Sequence, residues 1–348
     1  MEAKYVSYML DRLKELLAID STTADYAEIQ AYLAKQVEGL GLKPDYFNKG
    51  GFACCAGGNG SPLVVSAHGD DIGLMVHRIL ENGTLQCAKV GGLRPYGAEQ
   101  ANVRLRTRKG KVYTGCMKRR YPSLHTMPDD EYINKGATFE DLVLWLDEDV
   151  RCPADVEALG IRPGDIIALE PNLVITDNGY IKSRFLDDKA AVAVVLTYLY
   201  YLNEENVVPG RKFTAHFSMY EEIGHGGCCG IPADTEEFLS IDVGCVGPGQ
   251  QADEHKVSII ALDSRFPYHY YATTALAELA EREGIPYALD IHLPRYGTDS
   301  DAALTSGHDI INTAFGPAVM GTHGYERTHV DSMKATFDLL KAYVGTAK

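Results

Sequence analysis

Residues 63–67 read Leu-Val-Val-Ser-Ala, an unbroken run rich in β-branched side chains that stops at His68. Such a strand has no polar face, so it must be covered on both sides, at the centre of a layered sheet. Downstream the pattern alternates. Strands are expected at 181–185, 213–219, 239–246 and 257–262, and helices at 190–202, 273–283 and, amphipathic and closing the chain, 332–344. Tyr5, Met9, Leu13, Leu16 and Leu17 predict a helix over 4–18, and Ser21-Thr22-Thr23 followed by Ile29, Leu33 and Val37 predicts a second. Strand and helix in alternation give an α/β layer with helices on both faces of a mixed sheet.

Residues 77–165 interrupt this alternation. Short runs separated by Asn82-Gly83, Gly91-Gly92, Lys109-Gly110 and Arg162-Pro163-Gly164-Asp165 predict a small β-rich unit inserted into the α/β layer. The expected division is an α/β domain of 1–76 and 166–348 and an insert of 77–165.

Composition narrows the partners. With 48 acidic against 33 basic residues the formal charge is -15, which repels phosphate backbones and anionic membranes, so neither nucleic acid nor a membrane is expected. The first twenty residues lack a secretory apolar core, and the longest apolar stretch, 190–202, falls short of a membrane span and reads as a buried helix. The 8 cysteines show no C-x-x-C spacing, which suits reduced thiols in the cytoplasm.

Histidines and acids cluster just past the expected strand ends, where open α/β sheets hold ligands. His68-Gly69-Asp70 suits a metal-binding imidazole whose second nitrogen is fixed by a neighbouring carboxylate or carbonyl, or a hydrogen-bonded loop histidine. Asp187-Asp188 either caps the apolar helix that follows or bridges two cations. Glu221-Glu222 ends a strand with side chains in different directions, so one can bind metal while the other faces a reacting water. Asp242 sits in an apolar segment, and a buried carboxylate there needs a cation or hydrogen-bond donors. In the stretch 321–329, His323 is the stronger ligand candidate and His329 the weaker. All these donors are nitrogen or oxygen, a set that fits zinc, cobalt or manganese.

Taken in order, His68-x-Asp70, Asp187-Asp188, Glu221-Glu222, Asp242 and His323 resemble the glutamyl-aminopeptidase family of dinuclear metallopeptidases, including its tetrahedral self-compartmentalising members and relatives labelled endoglucanase. The likeness spans nearly the whole chain, and Gly-Ile-Arg-Pro-Gly-Asp at 160–165 resembles the end of that family's insert. The resemblance implies a mixed-sheet, aminopeptidase-like (phosphorylase/hydrolase-like) catalytic domain with an inserted small β-barrel-like domain for oligomerisation. It implies two divalent metal ions per subunit, zinc first and cobalt or manganese as alternatives. Asp187 would bridge them, His68 and Asp242 would complete one site, and Glu222 and His323 the other. Glu221 would be the general base, with Asp70 as second catalytic residue beside His68, and the Asp187–Asp188 peptide would be cis. Peptides are the implied substrates and a homo-oligomer, up to a dodecamer, the implied assembly. Gly69, Asp71 and Met320-Gly321-Thr322 depart from many members, so the preferred side chain does not follow from the family. The loops around Tyr296-Gly297-Thr298-Asp299 and Gly316-Pro317 are expected to shape the pocket.

Rival readings are a deacylase or amidase on the same scaffold, a glycosidase, and a non-catalytic assembly protein. A glycosidase needs carboxylates roughly 5–9.5 Å apart across the sugar bond, which suits adjacent glutamates poorly.

Overall fold

A computed structural model of the chain describes residues 1–127 and 129–345. It divides into two compact units, Met1–Asp70 with Asn172–Lys348, and Asp71–Pro171.

In the first unit Lys212–Ser218, Pro62–His68, Glu237–Ile241 and Ile311–Met320 lie side by side and parallel. Antiparallel neighbours make the sheet mixed: Phe52–Gly57 pairs with Lys212–Ser218, while Val257–Leu262 and Glu326–His329 pair with Ile311–Met320. Ser218 lies beside His68 and Ser66 beside Ser240, so these strands finish at a common edge. Leu63, Val64, Val65 and Ala67 are all buried, as a strand covered on both faces requires. The helix Leu186–Glu204 packs on Pro62–His68 and Ile311–Met320, flanked by the helices Ala3–Leu17 and Val330–Gly345. It is buried all round from Ala190 to Leu199, and Thr197 satisfies its hydroxyl on the Ala193 carbonyl at 2.7 Å. Ala3–Leu17 buries only the stripe Tyr5, Met9, Leu13, Leu16 and Leu17, as an outer helix should. The even-numbered side of the central strand meets the short helix Asp299–Thr305, where Val64, Phe238 and Ala303 pack together. No helix among the described residues is long and apolar enough to cross a membrane.

Three departures from the expected elements matter for the site. Gly316-Pro317, expected as a loop, lies inside the buried strand Ile311–Met320. That strand changes partners along its length, pairing with Glu237–Ile241, then Val257–Leu262, then Gly244–Val246, so its Gly and Pro are accommodated where pairing switches. A side chain at Gly316 would place Cβ 2.0 Å from the Asp242 carbonyl oxygen; glycine is what admits the Asp242 turn. The expected strand 239–246 is accordingly split into Glu237–Ile241 and Gly244–Val246, with Asp242 in the break. Thr298-Asp299 likewise is not loop but the start of a helix, with Thr298 as its N-cap.

The second unit is a closed barrel of six strands in the order Gly73–Ile79, Leu85–Val90, Leu142–Leu146, Val112–Arg119, Asn102–Arg106 and Ile166–Leu169. The last strand pairs with the first, Ile167 beside Leu74, so no edge is left open. Leu74, Leu85, Leu105, Met117, Leu144 and Ile167 are fully buried.

At the starts of the parallel strands Arg211 and Glu237, 1% and 0% exposed, form an ion pair at 2.8 Å. Glu237 also accepts from Thr313 at 2.8 Å and Tyr343 at 2.7 Å, tying two strands to the last helix. Replacing Glu237 with Leu strands a buried guanidinium, and equilibrium unfolding in urea should show a loss of about 3–5 kcal/mol.

Candidate active site

Parallel strands present all their carboxyl ends on one edge, and this edge gathers the acids and histidines. His68 ends Pro62–His68, Glu221 and Glu222 follow Lys212–Ser218 in the turn Glu221–Ile223, Asp242 follows Glu237–Ile241, and His323 lies beyond Ile311–Met320. Asp187 arrives separately, from the start of Leu186–Glu204, where Asp187 and Asp188 leave helical geometry and the bond between them is cis. Phe185 and His323 flank the cluster with φ of 66° and 61°. Left-handed backbone costs a non-glycine residue about 1–3 kcal/mol and persists only where surrounding contacts impose it.

One such contact was not legible in the sequence. The buried Glu326 accepts the Asp187 N–H at 3.1 Å and the His323 N–H at 3.2 Å, so one carboxylate holds the backbones of two candidate ligands. Its only local signal is an acid three residues after His323. Burial, with repulsion from Asp187, pushes its carboxyl well above the ordinary range.

His68 is buried, with Nδ1 2.9 Å from the Asp70 carbonyl oxygen and 3.6 Å from the Asp70 carboxylate. A carbonyl can only accept, so Nδ1 carries a proton, and Nε2, turned to Asp187, is the nitrogen a metal would take. Asp70 thus orients His68 through its backbone. Its carboxylate instead accepts from the Thr23 hydroxyl at 2.6 Å and the Glu221 N–H at 3.2 Å, anchoring the Glu221 turn.

His68 Nε2 faces Asp187 Oδ1 at 3.2 Å and Glu221 Oε2 at 3.7 Å. On the other side His323 Nε2 is 3.5 Å from both Asp187 Oδ2 and Glu222 Oε2. Two triads result, His68–Asp187–Asp242 and Asp187–Glu222–His323, each with ligand atoms within 4.8 Å of one another. His329 joins neither triad; its Nε2 is held by the Asn178 carbonyl at 2.7 Å. Asp187 and Glu221 keep 12% and 13% exposure, enough for a substrate to reach them.

The electrostatics call for positive charge. Burial first, then repulsion from Asp242 and other acids, raises Glu221 well above the usual carboxylate range. Burial, with repulsion from Asp187, does the same to Glu222 and pushes Asp242 up to about 8. Asp187 goes the other way: burial opposes its charge, but contacts with His323 and His68 outweigh it. Glu222 Oε1 and Asp188 Oδ1 are buried with no hydrogen-bond partner among the described residues. Each orphaned acceptor costs about 1–3 kcal/mol, which a cation would offset at Glu222. The residues present therefore fit divalent ions with nitrogen and oxygen ligands. Beneath the cluster, Asp299 Oδ2 accepts from the hydroxyls of Ser66 at 2.8 Å and Ser218 at 2.5 Å, fixing two central strands relative to each other. The sequence reading assigned Asp299 only to the pocket rim.

A mixed sheet whose carboxyl edge collects imidazoles and carboxylates defines a metal-dependent hydrolase. Residues 50–339 match the family described as M42 glutamyl aminopeptidase. The chain belongs to that family and is an aminopeptidase by class, which bears out the resemblance read from the motifs. It is 38% identical over 339 residues to "Putative aminopeptidase YhfE" of Bacillus subtilis (strain 168), covering 96% of each chain. In fold it is similar to aminopeptidase APDkam598 from the archaeon Desulfurococcus kamchatkensis, with a TM-score of 0.87 at 20% identity over 99% of this chain and 96% of that one. It is also similar to the TET1 peptidase of Pyrococcus horikoshii, which assembles into a tetrahedron or a large octahedral shell, with a TM-score of 0.84 at 20% identity over 97% of this chain and 99% of that one.

Because Asp242 and Glu222 hold protons more tightly than ordinary carboxyls, zinc binding to them near neutral pH would have to displace protons. Calorimetry in buffers of different ionisation enthalpy should show net proton release at pH 7 and an apparent affinity that rises as the pH approaches 8. A pH-independent affinity would mean that these carboxyls are already ionised.

Proposed function

We propose that the chain removes N-terminal residues from peptides using two divalent cations, zinc in the first instance, that share Asp187. The observation that carries this reading is the reach of one carboxylate: Asp187 Oδ1 faces His68 at 3.2 Å while Oδ2 faces His323 at 3.5 Å. His68 and Asp242 complete one site, and Glu222 and His323 the other. When bound, such ions would lower the pKa of the attacking water and polarise the scissile carbonyl.

The remaining work falls to the protein's own groups. Glu221, as a carboxylate, takes a proton from the attacking water, and burial raises its affinity for that proton, which strengthens it as a base. The water oxygen adds to the carbonyl carbon. Glu221 then gives the proton to the amide nitrogen, the C–N bond breaks, and a free amino acid and a shortened peptide leave. Asp70 steadies both partners, its carboxylate on the Glu221 N–H and its carbonyl on His68 Nδ1.

A cytoplasmic homo-oligomer, with the barrel unit as its contact and a twelve-subunit shell as its upper form, belongs to the same proposal. The shell-forming TET1 peptidase of like fold supports the assembly, and eight free cysteines support a reducing compartment. Light scattering should give the mass of a multimer; a monomer would remove this part.

Aminoacyl fluorogenic substrates and matched free-amine and N-acetylated peptides test the activity. Cleavage should require a free amine and vanish with chelator, and Glu221→Gln should lower kcat by about 10²–10⁴-fold with metal content unchanged. Equal cleavage of acetylated peptides would replace the reading with an amidase or deacylase.

A further inference from the structure

The histidine left over from the site, His329, belongs to a second cluster. His255, just before Val257–Leu262, His329, at the end of Glu326–His329, and Asp331, in the first turn of Val330–Gly345, bring ligand atoms within 4.8 Å of one another. Asp331 Oδ2 stands 3.2 Å from His329 Nδ1 and 3.3 Å from His255 Nδ1. We propose that His255, His329 and Asp331 form an additional divalent-cation site, suited to zinc and independent of the Asp187 cluster.

The spacing fits the ion. Ligands bonded to zinc at about 2.0–2.1 Å in a tetrahedron stand about 3.3 Å from each other, close to both separations here. The tautomer fits as well. His329 Nε2 lies 2.7 Å from the Asn178 carbonyl, which can only accept, so the proton is on Nε2 and the lone pair of Nδ1 faces Asp331. His68 is oriented the same way by the Asp70 carbonyl, with its two nitrogens exchanging roles. The Asp331 N–H also approaches His329 Nδ1 at 3.1 Å, a local contact that the cation would displace.

The surroundings hold these groups in place. Tyr180 meets both imidazoles edge-on, with ring centroids 4.9 Å from His329 and 5.9 Å from His255. Lys334 occupies Asp331 Oδ1 at 2.8 Å, which fixes the carboxylate and leaves Oδ2 turned to the histidines. Asp253 accepts the His255 N–H at 2.9 Å, and an Arg327–Glu254 ion pair at 2.7 Å ties the same segment to the strand carrying His329. His255 and Asp331 are 47% and 42% exposed, so water can complete the coordination. Two imidazoles and one carboxylate are a borderline donor set that favours zinc over calcium or magnesium. Bound there, the ion would link a loop, a strand and the last helix, and would stabilise the folded chain.

The test compares full-length wild-type protein with His255→Ala and Asp331→Asn, each stripped with chelator and titrated with zinc in a calorimeter. Wild type should take up one more zinc per chain than either variant and gain more melting temperature from zinc than His255→Ala, while all three keep the same peptidase activity. Crystals soaked in zinc should show an anomalous difference peak between the three side chains. Equal zinc uptake by wild type and His255→Ala, with no peak at this position, overturns the proposal. His255 lies in an exposed segment, so its variant keeps the comparison decisive even if Asp331→Asn weakens the helix start.

Discussion

Around Asp187 the protein gathers Asp70, Asp188, Glu221, Glu222, Asp242 and Glu326, nearly enclosed, with His68 and His323 as the imidazoles in contact with Asp187. Concentrating that much negative charge away from water is the constraint to which the surrounding structure answers. Three of these carboxyl groups have specific partners: backbone and hydroxyl donors for Asp70, two N–H groups for Glu326, and two imidazoles for Asp187. Glu222 and Asp242 are left with raised proton affinity, which a bound cation would offset.

The frame that carries this cluster is stiff at both ends of the parallel strands. Arg211, Glu237, Thr313 and Tyr343 lock the strand starts, while Asp299 bonds Ser66 and Ser218 just below the functional edge. Between those anchors the strands are apolar and buried, so their register cannot slip without moving hydrophobic side chains out of the core. The candidate ligand atoms inherit that precision because several of them begin within a few residues of a strand end.

Much of this was legible because it is local. The run ending at His68 shows a covered strand, the apolar stretch after Asp188 shows a buried helix, and each acid or histidine cluster sits where a strand pattern stops. The long strand Ile311–Met320 was not legible, since Asn312, Gly316 and Pro317 look like breakers until its several partners are known. Glu326 and Thr23 were missed for a related reason: their roles depend on which backbone or carboxylate the fold sets beside them.

The sequence by itself determined the layered α/β class, the inserted β-rich unit, the candidate nitrogen and oxygen groups and the family, because periodicity, turn residues and motif order are properties of neighbouring residues. Only the tertiary structure decided that Asp187 faces two histidines at once, that the Asp70 carbonyl sets the His68 tautomer, and that His329 meets His255 and Asp331 instead of the main cluster. His68 and Asp187 stand 119 residues apart in the chain, and Asp187 and Glu326 stand 139 apart. No local pattern encodes such pairings; they are fixed by which strands pair and where each one ends.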